Sequence, residues 1–274
     1  MIAGAEHRNT GSPELLSTLG RGILTITLNR PESRNAMSDA MLEALARELA
    51  FAEESPDVRC VVLQGSGSAF CAGGDVKAMN SAPPSPSAMP ERVRYQQTIQ
   101  RATSGRLAAM AKPTLASING PAAGAGLGLA LACDLRIMAR SAILLTAFAR
   151  VGLSGDFGVG FFLSRLAGAG RAREFMFLPE KLTAGRAHEI GLVNWVCEDE
   201  VIADRAADIA SRLATSPPTA LRYMKENFAD AEAGDLGAYM DAETVRHLHC
   251  TTTADHREGV AAFAERRAPQ FGGN

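Results

Sequence analysis

No apolar run in the sequence approaches the ~20 residues a membrane-spanning helix needs; the longest lies near 121–133. The first residues, MIAGAEHRNTGSPELL, lack the basic stretch followed by an apolar one that marks a secretory signal. Charge of one sign is not in surplus either. The 28 Lys and Arg face 30 Asp and Glu, a formal net charge of −2, so no overall basic field draws the chain to nucleic acid. Cysteine is sparse, and none of Cys60, Cys71, Cys133, Cys197 and Cys250 stands in a CxxC pair. An odd number without that spacing argues against a disulfide scaffold and suits reduced thiols. These absences predict a soluble cytoplasmic protein, long enough at 274 residues for one large α/β domain or a domain with an appendage.

What is present is a repeated alternation of strand, loop and helix. ILTITLN (23–29) alternates as a strand, RPESRNAMS follows as a turn, and Ser38 stands where it caps a helix from 39 to about 53. VRCVVLQG (58–65), GSGSAFCAGG and a helix start at Asp75 repeat the pattern. PTLASING (113–120), a glycine-rich turn and a helix through Cys133 repeat it again. DLRIMA (134–139) is a further strand. Three such units predict a layered α/β architecture with the functional loops on one side. After about residue 200 the pattern turns helical, and the Pro/Ser-rich SAPPSPSAMP (81–90) reads as a mobile loop or lid.

The turn NGPAAGAGLGLALACD (119–134) has no acid or base until Asp134. Gly124, Gly126 and Gly128 follow a strand and open a helix, yet a dinucleotide fingerprint needs glycine where Leu129 stands and an acid ~20 positions on, and 141–150 holds none. No Lys-Ser/Thr follows, so a phosphate-binding P-loop fails as well. Two uses remain for the turn: close packing of helix on strand, or free N–H groups at a helix N-terminus offered to an anion or a developing oxyanion. FCAGGDVKAM (70–79) is a second small-residue turn between strand and helix. Two such turns can each aim one N–H at a single carbonyl oxygen, which is an oxyanion hole.

NRPESRNAMS, FCAGGDVKAM and NGPAAGAGLGLALACD, followed in order by FARVGLSGDFGVGFFLSRLAG, TAGRAHEIGLVNWV and ADHREGVAAFAERRAPQF, resemble the successive signatures of the crotonase superfamily, the enoyl-CoA hydratase/isomerase family. The resemblance covers roughly 20–271. It implies an α/β fold, a spiral of ββα units over 1–200 with a helical C-terminal region over 201–274, assembled as a homotrimer or a dimer of trimers. The implied ligand is an acyl-CoA thioester, with coenzyme A part of the substrate and no permanently bound cofactor, metal, nucleic acid or membrane partner. The oxyanion donors carried over by position are the N–H groups of Gly74 and Ala125. Arg34 matches a basic position that meets phosphate. The backbone around Ala36, Ala72, Asp75 and Val76 frames the adenine, and Phe263 and Arg266 match positions that complete the CoA site, sometimes from a neighbouring subunit.

The sequence departs from the hydratase pattern at its two glutamates, where Gly128 and Phe148 stand. GLSGDFG instead places Asp156 where several isomerases of the family carry a carboxylate. Read locally, Asp156 is a helix cap or turn residue; read within the family it is the acid/base, its pKa raised if its pocket is apolar. A single carboxylate over an oxyanion hole suits double-bond migration. Hydration of a 2-enoyl-CoA is the alternative, and a non-catalytic acyl-CoA-binding protein the competing class. A dehalogenase-like branch with a nucleophilic aspartate also needs a histidine before the third strand, and 91–112 has none. The HLHC run (247–250) with His256 reads as a polar helix face, since side chains two apart on a helix diverge. His188 reads as a surface helix residue, Cys71 as small-residue packing and Trp195 as core.

Overall fold

The structure is a computed structural model that describes residues 4–75 and 88–273. Its strands are β1 (Glu6–Arg8), β2 (Leu15–Gly20), β3 (Ile23–Leu28), β4 (Cys60–Gly65), β5 (Thr114–Ile118), β6 (Ala122–Ala123), β7 (Leu135–Ala139), β8 (Ile143–Leu145), β9 (Leu182–Thr183) and β10 (Trp195–Cys197). Its helices are α1 (Asp39–Glu54), α2 (Met89–Gln100), α3 (Arg106–Ala109), α4 (Ala125–Ala132), α5 (Val159–Ala167), α6 (Ala169–Phe177), α7 (Ala184–Glu189), α8 (Ile202–Ala214), α9 (Pro218–Ala233), α10 (Leu236–Thr251) and α11 (Ala254–Glu265). Val76, the helix expected from Asp75 onward and positions 81–87 of the Pro/Ser-rich segment lie outside the described residues. The end of that segment is not loop: α2 begins at Met89, with Pro90 in its first turn, where a missing N–H leaves no intrahelical bond unmade.

The expected strands and helices appear within two residues of their predicted limits, and Ser38 caps α1 by accepting from the Met41 N–H at 3.1 Å. The main sheet runs β1-β2-β3-β4-β5-β7-β10. From β3 onward neighbours are parallel, while β1 and β2 add an antiparallel edge. That edge turns at Arg21 and Gly22, both at positive φ (51° and 76°), the geometry of a two-residue hairpin that follows strand twist. Cys60–Leu63 and Thr114–Ile118 are buried throughout, as central parallel strands covered on both faces must be.

A second, narrower row of pairings crosses the molecule beside the first. Met37 bridges Gly74, Cys71 bridges Ala122, β6 pairs with β8, and β8 with β9. β3, β4, β5 and β7 are thus each followed by a short pairing segment and then a helix, the repeated unit of a ββα spiral. The short segments bring the loop after β3, the turn after β4 and the turn after β5 side by side. The region after 201 is helical, yet α8 belongs to the core, burying Ile202, Ala206, Ile209, Ala210 and Ala214 on one stripe against the sheet. The chain end is tied down where the buried Asp255 carboxylate accepts from the Gly272 and Gly273 N–H groups.

Candidate active site

The loop after β3 is shaped by two consecutive left-handed residues, Arg34 (φ 53°) and Asn35 (φ 56°). Asn35 is fully buried and holds the loop on three sides: Nδ2 donates to the Ser66 and Ala69 carbonyls at 2.9 and 2.8 Å, and Oδ1 accepts from the Arg30 N–H at 2.8 Å. The loop is stitched to the FCAGG turn. The Ala72 N–H donates to the Arg34 carbonyl at 2.9 Å and the Met37 N–H to the Gly73 carbonyl at 2.8 Å. Arg30 spans the same seam, donating to the Ala36 carbonyl at 2.7 Å and pairing with Asp75 at 3.2 Å. Arg34, Ala36, Ala72 and Asp75, predicted to meet the CoA nucleotide, therefore lie on adjoining segments, with Arg34 and Ala72 exposed and Ala36 buried.

The FCAGG turn is in turn laid along the glycine-rich one. The Phe70 and Cys71 N–H groups donate to the Pro121 carbonyl, and the Ala123 N–H to the Cys71 carbonyl at 2.9 Å. Glycine is required at two points of this approach. A Cβ on Gly126 would lie 2.6 Å from the Cys71 side chain, and one on Gly73 2.8 Å from the Ala123 carbonyl and 3.4 Å from the Ala125 nitrogen. Gly124 turns the chain into α4 at φ 50°, so Ala125 supplies the first N–H of the helix, which has no intrahelical partner. Neither the Gly74 nor the Ala125 N–H has an acceptor among the described residues. Two amides without an acceptor among the described residues thus flank one seam. Cys71 is packing, as read from sequence: its thiol is buried, donates to the Asn35 carbonyl and is pushed up to about 12 by burial, the opposite of an activated nucleophile.

Asp156 stands on the loop between Phe148 and α5, where Gly152, Gly155, Phe157 and Gly158 all take positive φ. Phe157 is the unusual member, since a bulky residue at φ 47° is strained and is held only by its surroundings. What holds it is α4. A Cβ on Gly128 would lie 2.7 Å from the Phe157 carbonyl oxygen and 2.8 Å from its Cβ. Where the hydratase pattern has its first glutamate, this chain therefore has a gap filled by the Asp156 loop. Phe148, at the second glutamate position, is buried with its ring 3.9 Å from the Cβ direction of Gly124.

The Asp156 carboxylate accepts three hydrogen bonds: Oδ1 from the Phe157 N–H at 2.9 Å and Gln96 Nε2 at 3.1 Å, and Oδ2 from Gln96 Nε2 at 2.9 Å. Burial holds its pKa above the ordinary carboxylate value, and the bonds from Gln96 and Phe157 offset part of that rise. Asp156 does not cap α5, whose N-cap is Gly158 without a side-chain bond. Its local reading as a helix cap is therefore set aside.

Phe263 and Arg266 lie elsewhere in the chain. Phe263 is 88% exposed and lines a cavity of about 380 Å³ with Pro217, Cys250, His256 and Val260, all from the C-terminal region. None of Arg34, Gly74, Ala125 and Asp156 lines that cavity. His188 is exposed on α7, Trp195 is half-buried against the core, and His249 Nδ1 meets the Tyr223 hydroxyl at 2.7 Å. Gln96, Asn35 and Arg30 escaped the sequence reading. Asn35 and Arg30 stand inside the quoted NRPESRNAMS motif, so their polar types amid a turn were available signals. Gln96 had none.

The family model for enoyl-CoA hydratase/isomerase matches residues 18–274. The chain belongs to that family. It is 40% identical over 261 residues, covering 94% of this chain and 98% of the relative, to the 1,2-epoxyphenylacetyl-CoA isomerase of Escherichia coli strain K12. It is 33% identical to the mouse mitochondrial enoyl-CoA hydratase domain-containing protein 2, covering 98% and 92% of the two chains. Among solved structures, the enoyl-CoA hydratase of Bacillus anthracis superposes with a TM-score of 0.86 at 32% identity, over 98% of this chain and 99% of that one. These family members share the crotonase fold, and the spiral of ββα units described above is that fold.

Proposed function

We propose that this enoyl-CoA hydratase/isomerase family member is an isomerase that shifts the double bond of an enoyl-CoA, with Asp156 as its acid/base. One observation carries the reading: a partly buried carboxyl with a raised pKa is present at Asp156, while Gly128 and Phe148 leave no proton carrier at the two hydratase positions. The name of the Escherichia coli relative, also an isomerase of an acyl-CoA, supports the same direction.

In a 3-enoyl thioester, Asp156 removes a proton from C2. The electron pair moves onto the thioester oxygen, and the Gly74 and Ala125 N–H groups hold the resulting dienolate. Removal of one such donor costs ~3–4 kcal/mol of transition-state stabilisation in comparable sites. The protonated carboxyl then returns the proton to C4, the C2–C3 double bond forms and the carbonyl is restored. Proton and electrons balance without a second group, whereas hydration needs a placed water and usually another acid. Arg34, with its exposed guanidinium beside Ala36, Ala72 and Asp75, meets CoA phosphate by charge and fixed donor geometry.

The alternative of a CoA-ester-binding protein without catalysis leaves the raised carboxyl unused. We place the protein in the cytoplasm, where its free thiols stay reduced, and assign it a homotrimer or a dimer of trimers. The exposed Phe228, Leu236, Val245 and Phe263 of the C-terminal helices support self-association.

The test separates the chemistries by mass. Given a medium-chain 3-enoyl-CoA, the protein forms a product of unchanged mass; given a trans-2-enoyl-CoA it adds no water. A product heavier by one water as the main outcome would replace isomerisation with hydration.

A further inference from the structure

Gln96 reaches Asp156 across 60 positions of sequence and from a different element. A single carboxamide nitrogen lies between the two carboxylate oxygens, 2.9 Å from Oδ2 and 3.1 Å from Oδ1, which fixes the plane of the carboxylate. The oxygens are then unequal. Oδ1 has a second donor, the Phe157 N–H at 2.9 Å, and Oδ2 has none beyond Gln96 among the described residues.

Resting on the reading of Asp156 as the acid/base, we propose that Gln96 is the positioning residue of the site: it orients the carboxylate so that Oδ2, the oxygen with one donor, is the atom that takes and returns the proton.

The chemistry of the donor explains why an amide stands there. A lysine or arginine at the same distance would hold the carboxyl ionised well below its ordinary range and make it a poor base. A neutral N–H donor orients the group while leaving burial in control of its proton affinity. The surroundings fit this division. On either side of Asp156 in sequence, Gly155 faces Met176 of α6, whose Cε lies 3.2 Å from the Gly155 Cβ direction, and Phe157 faces Gly128 of α4. On α2 itself Glu91, Arg92, Arg94 and Tyr95 flank Gln96, and none of them contributes to the shift of Asp156.

The helix carrying Gln96 is firmly seated despite its polarity. Of α2 only Ile99 is buried. The next five residues, Arg101–Gly105, widen into a π-helical turn that buries Thr103 and Ser104 against α1 and α4. Such a turn resets the helix face and recurs at functional sites.

The experiment compares wild type with Gln96→Met, which keeps length and removes the donor, and Gln96→Glu, which sets a second carboxyl against the first. The readouts are the pH dependence of kcat/KM on a 3-enoyl-CoA and a ¹³C NMR titration of aspartate carboxyl carbons, with the Asp156 signal identified by its loss in Asp156→Asn. In Gln96→Met the Asp156 titration and the acid limb of the rate profile both move up, and kcat falls with KM little changed, as for an interaction made in the transition state. In Gln96→Glu they move up further, because two adjacent carboxyls share a proton. Titration and limb unmoved in both variants, with Asp156→Asn inactive, would overturn this inference alone. Turnover that survives Asp156→Asn would overturn the acid/base reading and this inference with it.

Discussion

Asp156 is under two opposed influences, burial raising its proton affinity and the Gln96 and Phe157 donors lowering it, and burial prevails. That balance has a consequence for stability as well as for catalysis. A carboxyl held above its ordinary value of 3.8 keeps a proton in the folded chain that the unfolded chain has already released. Its burial therefore costs the fold stability progressively as pH rises through that window, and below 3.8 both states are protonated and the cost vanishes. Asp156→Asn removes the penalty while its amide oxygen can still accept from the Phe157 N–H. The variant is expected to unfold at the same or a higher temperature than wild type near about pH 7, with the difference shrinking toward about pH 3. Thermal unfolding at both pH values checks this; a variant markedly less stable at neutral pH would show that the carboxylate is a structural group. Functional groups held at a cost to the fold are a recurring trade.

The elements that build the site are held at their distance by glycine. α4 meets two segments at once: Gly126 faces Cys71 of the oxyanion turn and Gly128 faces Phe157 of the acid/base loop. Gly128→Ala must push the strained Phe157 turn outward, since backbone and Cβ atoms stand in the way rather than the far end of a flexible side chain. The expected result is a loss of ~1–3 kcal/mol of stability, the usual cost of overpacking, together with turnover reduced by more than KM changes. Urea unfolding with steady-state kinetics reads both, and a variant with wild-type stability and turnover would refute the seating of the loop on α4. By the same geometry, a glutamate placed at Gly128 has no room beside α4, because the loop that carries Asp156 packs against that position.

How far the sequence disclosed these elements follows from the range of the forces involved. β3, β4, β5, β7, α1 and α4 were legible because alternation, an N-cap serine and glycine at a strand-to-helix turn act within a few residues. The short strands β1, β6, β8 and β9 were not, since two or three residues carry no period, and β2 was missed although it turns directly into β3. The same divide runs through the site. Gly74, Ala125 and Asp156 lie in local motifs, whereas Gln96 acts across the fold from a polar helix with no pattern of its own. Phe263 matched by motif, but the C-terminal cavity it lines contains none of Gly74, Ala125 and Asp156.

At the scale of the molecule, the spiral brings three loops from successive turns onto one seam, where, on the proposed reading, backbone amides hold the oxyanion and the Asp156 loop supplies the acid/base. On that reading the glycine-rich turns act through the main chain, and Asp156 decides the reaction. The most direct test follows the ultraviolet absorbance of the conjugated enoyl thioester after the protein is added to a medium-chain 3-enoyl-CoA, beside folded Asp156→Asn. The account predicts a rise with wild type that the variant loses by ~10³-fold or more, within the range that general acid–base catalysis and oriented donors supply together. An equal rise with the variant would contradict Asp156 as the proton carrier, and no rise with wild type would contradict isomerisation of that substrate.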